Sequence, residues 1–362
     1  MSKSTKQKNT LVIHDLFQIK GGGERLVSIL CQQLGADLLT GHIGQQTFQL
    51  DQLLGHVTDL NAMGNISGIK TWRLARAFKH HTPQSNHQNV IYSGVAAPLA
   101  IKHHLQAQNI FYCHTPPRFV YDKRDHYQKQ LNFLKKPVFK TLINWFQPQY
   151  EQAVSQMDHV LTNSKYVQNR IKKHLNIEST VVYPPCDTES FKWRSDGDYF
   201  LSLARHDTLK RIDVIIEAFK AMPDKKLVVA SGGEMTAELK QAAAGYDNIV
   251  FTGWLSDVSL LKLLGECLAT IYIPEDEDFG MSPVESMSAG KAVLCSDHGG
   301  LLESVIHGET GFHIDNNNLK SSLIEQVKQF NSNQAQAMRT ACEQRAASFD
   351  TQHFMDNFKK FL

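Results

Sequence analysis

The feature that most constrains this chain is an alternation that runs along almost its whole length. Short runs rich in β-branched and aromatic residues are separated by longer stretches with helical spacing. TLVIH (10–14), NVIYS (89–93), NIFYC (109–113), HVLTN (159–163) and TVVYP (180–184) read as strands of the first half. YFLSLA (199–204), KLVVAS (226–231), NIVFTG (248–253), ATIYI (269–273) and AVLCS (292–296) read as strands of the second. Runs that are apolar over most of their length belong to strands covered on both faces, and hence to parallel sheets. The helical stretches supply the covers; ERLVSILCQQLG, closed by Gly35 as a C-cap, is one of them. The expected class is α/β, with doubly wound Rossmann-like sheets.

A chain of 362 residues exceeds what one core usually fills, so two domains are expected. YPPCDTESFKWRSDGD (183–198) is the best boundary, because it gathers prolines, a glycine and turn formers between two strands. The expected division is one domain over 1–185, a second over 186–345 and a C-terminal helix over 346–362. Phe354, Phe358 and Phe361 give that helix an apolar face that must dock, and the first domain is the expected surface. Open α/β sheets bind ligands beyond the carboxyl ends of their strands. Two such domains facing each other would enclose a cleft.

Hydrophobic residues at 42% and charged residues at 20% exclude a disordered or fibrous chain. No apolar run approaches the roughly 20 residues a membrane helix needs, and MSKSTKQKNT lacks the apolar core of a signal peptide. The expected location is cytoplasmic, with peripheral placement at the inner face of the cytoplasmic membrane. Six scattered cysteines form no CxxC pair, so buried reduced thiols fit better than disulfides or a zinc knot. Charge is unevenly divided. Residues 1–185 carry 21 Lys and Arg against 10 Asp and Glu, and residues 186–362 carry 17 against 26. A basic half suits anionic lipid, a phosphate-bearing substrate or nucleic acid. No nucleic-acid module is recognisable, and the acidic half argues against that class.

Unusual residues follow the strands. Gly21, Gly22 and Gly23 lead straight into a helix after TLVIH, as a flexible turn or as a backbone cradle for an anion. His114 follows NIFYC, in either a structural or a chemical role. Arg205 and Lys210 follow YFLSLA. They are either ordinary loop charges or a fork and a point charge gripping a diphosphate. After ATIYI comes EDEDFGMSPVE (275–285). Pro283 suits a first helical turn, which leaves the amides of Gly280, Met281 and Ser282 as unpaired donors for an anion. Glu277 and Glu285 flank that turn. Helix-dipole pairing, worth about 0.3–1 kcal/mol per acid, accounts for Glu275 or Asp276 but not for the Phe-Gly turn. The cations at 205 and 210 and the amides near 280 are expected to converge on one diphosphate.

EDFGMSPVE resembles the E-x7-E signature of retaining glycosyltransferases of the large fourth sequence family, which have the GT-B fold. GGGE, FYCHTPPRFVYD, LTNSKYVQNRI, VVYPPCDTESF, SLARHDTLKRID and SDHGGLLESVIHGETGF resemble that family's landmarks in its order, over nearly the whole chain. CHTPPR and YPPCD are most similar to bacterial mannosyltransferases of O-antigen or exopolysaccharide assembly. The resemblance implies a donor-diphosphate role for Arg205, Lys210, Gly280 and Met281. It implies ribose binding by Glu285, donor-sugar contacts by Glu277, and a backbone contribution from Phe279 beside that sugar. It places His114 near the anomeric centre, Gly21–Gly23 at donor and acceptor, and Asn163 and Ser164 near the cleft. The sequence departs from the pattern at Asp278, where the family often has glycine; this carboxylate must face a cation or solvent. It departs again at Met281-Ser282-Pro283-Val284, where Leu/Ile-Pro-Val is commoner.

The implied activity is transfer of a hexose, mannose from GDP-mannose, to a glycan or polyprenyl-diphosphate-linked acceptor in cell-surface polysaccharide synthesis. The leaving diphosphate would be stabilised by cations and a helix start rather than by a metal, so no cofactor is expected. The family favours same-face attack over a covalent carboxylate intermediate. TGWLSD (252–257) does not distinguish guanine from uracil, so a UDP-sugar donor stays open. So does a non-catalytic two-lobed nucleotide- or sugar-binding protein. The stretch 123–152 mixes lysines with Phe133, Leu134, Val138, Phe139 and Phe146. It reads equally as a surface resting on anionic membrane or as a core helix pair with a solvated lysine face.

Overall fold

The computed structural model describes residues 10–362 apart from 19, 20, 46, 49, 64–68 and 84. The basic segment 1–9 therefore lies outside the described residues. The chain forms two compact units, one of residues up to Tyr183 together with Met355–Leu362, the other Pro184–Phe354.

Among the described residues, the first unit holds seven strands: β1 Thr10–His14, β2 Asp37–Thr40, β3 Val57–Asp59, β4 Asn89–Ser93, β5 Gln108–Cys113, β6 His159–Thr162 and β7 Thr180–Val181. They lie in the order β3-β2-β1-β4-β5-β6-β7, and every pairing is parallel. The order reverses beside β1, so β1 and β4 flank the switch point where ligands of such sheets bind. The core packs Ile13, Phe78, Tyr92, Phe111, Phe146 and Tyr150 between sheet and helices. Two of the buried phenols are satisfied: Tyr92 donates to Asn109 Oδ1 at 2.8 Å and Tyr112 to the Val182 carbonyl at 2.7 Å.

The second unit holds six strands: β8 Tyr199–Ser202, β9 Lys226–Ala230, β10 Ile249–Gly253, β11 Ala269–Tyr272, β12 Val293–Ser296 and β13 Gly311–Ile314. Their order is β10-β9-β8-β11-β12-β13, again all parallel. β11 and β12 are buried along their whole length, as their unbroken apolar runs require. The two sheets make the fold a pair of Rossmann-like α/β domains.

Three strands, β2, β3 and β13, were not legible as strands. DLLT begins two residues after the Gly35 cap, so no turn signal separates it from the preceding helix. VTD is half-exposed at the sheet edge, and GFHI carries a histidine and no β-branched residue before its last position. The Gly35 cap itself forms as expected, with φ 61° and its amide on the Cys31 carbonyl. All six cysteines are buried, and none is in a disulfide.

The stretch 123–152 divides. Ile143, Phe146 and Tyr150 of the helix Lys135–Val154 are buried, whereas Phe133, Leu134 and Val138 are 78%, 68% and 67% exposed. The core reading thus holds for the face carrying Ile143, Phe146 and Tyr150, and the part at 133–138 is exposed surface. Among the described residues, no helix is long and apolar enough to cross a membrane.

Of the stretch 346–362, residues up to Phe354 belong to the second unit and Met355–Leu362 to the first. In the first unit, Phe361 stands edge-on to His159 with ring centres 5.3 Å apart, and its carbonyl accepts from Gln108 Nε2 at 3.0 Å. Phe358 is fully buried. Phe358→Ala is expected to destabilise the chain by about 3–5 kcal/mol, the usual cost of emptying a buried phenylalanine site. Urea unfolding checks this; a loss below about 1 kcal/mol would mean that the C-terminal segment is not part of the core.

Candidate active site

In the second unit the chemistry gathers where β8 and β11 end. These strands are neighbours, with Ala269 opposite Phe200 and Thr270 opposite Leu201. The loop after β8 therefore meets the turn after β11. The Glu275 amide donates to the Leu209 carbonyl at 2.7 Å and ties the two together. Across this seam Lys210 Nζ lies 2.6 Å from Glu277 Oε2. Both also contact the Tyr272 hydroxyl, at 3.0 Å from the lysine and 2.9 Å from the carboxylate. Burial pulls the Lys210 pKa down, but Tyr272 and Glu277 outweigh it and hold the ammonium above the ordinary lysine range. Burial, followed by the Glu277 carboxylate, pushes the Tyr272 phenol up.

The other acids of the cluster have separate partners. Glu275 lies 3.8 Å from Arg211, and Asp276, at φ 54°, lies 3.0 Å from His298 Nε2. Pairing with side chains, not with a helix dipole, is thus what holds Glu275 and Asp276. Asp278 is half-buried. Gly280 takes φ 84° just before the helix Met281–Ser288. A Cβ there would meet Leu301 Cδ2 at 2.6 Å and Glu277 Cγ at 3.4 Å. The helix start carries no side-chain cap, so its amides remain donors of the kind that hold anions. Behind the turn, the Gly300 amide donates to the Glu277 carbonyl at 2.9 Å, and a Cβ on Gly300 would overlap the Asp278 carbonyl oxygen. The glycine pair of SDHGG thus lets the 277–279 backbone nest against residues 299–300.

The structure brings Lys210, Glu277 and Gly280 together. Arg205 pairs elsewhere: its Nε donates to Asp207 Oδ2 at 3.0 Å and its side chain is 61% exposed. Met281 and Glu285 sit half-buried on the Met281–Ser288 helix. The Phe279 ring is 2% exposed and stands edge-on to Phe349 at 5.4 Å.

In the first unit a neutral polar cluster lies at the ends of β1, β4 and β5. His114 Nε2 is 2.9 Å from Ser93 Oγ, which is 3.1 Å from His14 Nδ1. His14 Nδ1 also lies 3.0 Å from the Ser93 carbonyl, which can only accept, so that nitrogen carries the proton. Gly23, in the helix Gly22–Leu34 with Gly21 as N-cap, approaches closely: a Cβ on it would sit 3.7 Å from His114 Nε2. Burial lowers the His114 pKa to about 4; burial and then the charge of His114 lower that of His14 to about 3. Asn163 donates its amide to the His114 carbonyl at 3.0 Å. Ser164 is fully buried, and its hydroxyl caps the helix Lys165–Leu175 by accepting from the Val167 amide at 3.0 Å. Asn163 and Ser164 thus hold the His114 loop and a helix start rather than presenting free groups.

Sequence reasoning missed Tyr272, Ser93 and His14, each the last residue of a strand, and Asp15. Asp15 accepts from the amides of Val95, Ala96 and Ala97 at 2.7–3.0 Å. Position at a strand end is the signal that could have found the first three.

A model described as "Glycosyltransferase Family 4" matches residues 20–190, and one described as "Glycosyl transferases group 1" matches residues 186–349. Alpha-1,3/1,6-mannosyltransferase ALG2 of Dictyostelium discoideum is 25% identical over 378 residues, 86% of this chain and 87% of that protein. O-antigen chain mannosyltransferase RfbU of Salmonella typhimurium is 26% identical over 219 residues, covering 58% of this chain and 60% of that one. Among solved structures, Anabaena Alr3699/HepE in complex with UDP and glucose superposes with a TM-score of 0.71 at 16% identity, over 96% of this chain and 98% of that one.

The two depressed histidines set a pH dependence. Between the folded values near 3–4 and the unfolded value near 6.5, the unfolded chain binds more protons. Stability therefore rises with pH across that window and falls as acid is added. His114→Gln, which keeps a partner for Ser93, is expected to flatten the fall by roughly 1 kcal/mol per pH unit between pH 6.5 and 4.5. Melting curves over that range check it; parallel curves for the two proteins would show that His114 is not held neutral.

Proposed function

The chain belongs to the group 1 glycosyltransferases of the GT-B fold, and from that premise we propose that it moves mannose from GDP-mannose to a glycan or polyprenyl-diphosphate-linked acceptor, with retention of configuration. The observation that carries the reading is the Lys210–Glu277 pair, at 2.6 Å, beside an uncapped helix start. Mannosyltransferase relatives support the sugar. A structural neighbour holding UDP keeps a UDP-sugar donor as the second reading.

A departing diphosphate gains negative charge. Lys210 and the amides at Gly280 and Met281 supply fixed positive potential where that charge grows, with Arg205 as a mobile second cation released from Asp207. Glu277 accepts from donor-sugar hydroxyls and Glu285 from the ribose. His114, neutral above about pH 4, offers a hydrogen bond to the sugar without adding charge. The acceptor's proton passes to the leaving phosphate oxygen as the acceptor attacks from the same face, so no covalent carboxylate intermediate forms. These protein groups meet the needs of the leaving group, so activity is expected to survive EDTA.

Incubation with a panel of nucleotide sugars, reading released GDP and UDP, tests the proposal. GDP from GDP-mannose is expected. UDP release would favour the second reading, and tight binding without release would favour a non-catalytic binding protein. Glu277→Ala is expected to lower transfer on the order of 100-fold or more; near-normal turnover would remove Glu277 from the site.

The exposed Phe133, Leu134 and Val138, with Lys135, Lys136 and Lys140 exposed around them, form the surface we propose for peripheral contact with anionic membrane. Vesicle co-sedimentation is expected with phosphatidylglycerol and not with phosphatidylcholine alone, and to weaken at least several-fold in Phe133→Ser/Leu134→Ser. Equal sedimentation of the variant would move the contact elsewhere.

A further inference from the structure

Tyr272 has no part in the signature that points to Glu277 and Glu285, yet it makes the densest contacts in the second unit's candidate site. It closes a triangle in which Lys210–Glu277, Lys210–Tyr272 and Tyr272–Glu277 measure 2.6, 3.0 and 2.9 Å. The ammonium also lies 5.3 Å from the centre of the tyrosine ring. Donor and acceptor capacity fixes the directions. An ammonium only donates and an ionised carboxylate only accepts, so the phenol accepts from Lys210 and donates to Glu277.

The phenol is not needed to neutralise the pair, since the ammonium and carboxylate already do that for each other. What it adds is direction. The last torsion of a glutamate is broad and two-fold, so a lysine alone can be served by either oxygen. With both ammonium and phenol on Oε2, the carboxylate has one settled orientation. Among the described residues, nothing engages Oε1, which remains the oxygen to offer outward. Lys210 has three N–H groups, and two are engaged inside the triangle, so one remains for an incoming anion. Tyr272 is the last residue of β11 and is 6% exposed. The strand therefore fixes the phenol, and the phenol fixes the two groups that solvent can still reach.

We propose that Tyr272 is a positioning residue for the nucleotide-sugar donor, turning Glu277 Oε1 toward the sugar hydroxyls and the third Lys210 N–H toward the diphosphate. This rests on the glycosyltransferase reading above. Tyr272 touches neither sugar nor phosphate; it acts through its two partners.

Tyr272→Phe keeps the ring and the strand and removes one oxygen. The expected result is a fall in kcat on the order of tenfold or more, as for a small loss of donor alignment. Affinity for the free nucleoside diphosphate should stay within about twofold, because Lys210 keeps its charge, and the melting temperature should shift little. A merely structural residue would move stability and affinity together. The second arm is a cycle with Glu277→Gln: Tyr272→Phe added to Glu277→Gln should cost little beyond Glu277→Gln alone, since the phenol acts through that carboxylate. A Tyr272→Phe enzyme with wild-type kcat overturns the inference, and so does a full additional loss in the double variant. Wild-type protein that releases no nucleotide from any nucleotide sugar overturns the glycosyltransferase reading itself. Wild-type release with an unaffected Tyr272→Phe variant overturns this inference alone.

Discussion

The interaction on which the second unit's site depends is the ion pair between Lys210 and Glu277. It exists because β8 and β11 are parallel neighbours, so that residues 67 apart in the chain leave the sheet side by side at the same edge. One backbone bond, Glu275 to Leu209, and one ion pair then join the two loops. Removing one partner of a fully buried pair costs about 3–5 kcal/mol. Here the side chains keep 23% and 18% of their exposure, so the cost of breaking the pair is smaller. A pair of this intermediate burial is suited to exchange: it is held firmly without a ligand, and either member can be taken over by a competing phosphate or hydroxyl.

The same edge explains why so many acids fit beside a buried strand. Glu275, Asp276 and Glu277 lie beside Arg211, His298 and Lys210 respectively. The backbone bends to allow this. Asp276 takes a left-handed φ of 54° and Gly280 one of 84°, the first unusual for a residue with a side chain. Residues 299–300 press on the same turn from behind. Local strain and close backbone packing therefore concentrate where three carboxylates must be aimed in different directions, which is where strain is usually tolerated.

Much of this was legible in the sequence. Ten apolar runs correspond to ten of the strands, because a strand covered on both faces has little freedom to be polar. The strands that were missed are short, lie at an edge or follow a helix cap without an intervening turn, so the pattern that marks a strand is truncated in them. At the site, Glu277 and Lys210 were legible because charge after an apolar run is conspicuous. Tyr272, Ser93 and His14 were not, because each is the final residue of its strand and reads as a continuation of the core. Asn163 and Ser164 had the opposite problem: polar residues at a strand end look functional, and only the hydrogen bonds to the His114 carbonyl and the Val167 amide reveal a local structural duty.

The charge imbalance between the halves also acquires a location. At the strand ends of the first unit stand Ser93, Asn163, two histidines held uncharged by burial, and Asp15, whose carboxyl oxygens are taken up by three backbone amides. Several of its cations ride on helices and are exposed, among them Arg73, Arg76, Lys129, Lys136 and Lys172, whereas Arg118 and Arg170 are held against Asp122. The second unit does the reverse and draws Lys210 and Arg211 into contact with carboxylates at the strand ends. A bound diphosphate calls for a few fixed cations in a partly desolvated place, and Lys210 is such a cation at the strand ends of the second unit. Many exposed cations spread over helices are screened by salt within about 10 Å and hold no single phosphate tightly. They suit a broad anionic surface that many weak contacts can engage at once. The excess of Lys and Arg in residues 1–185 is thus carried in good part on exposed helix surface.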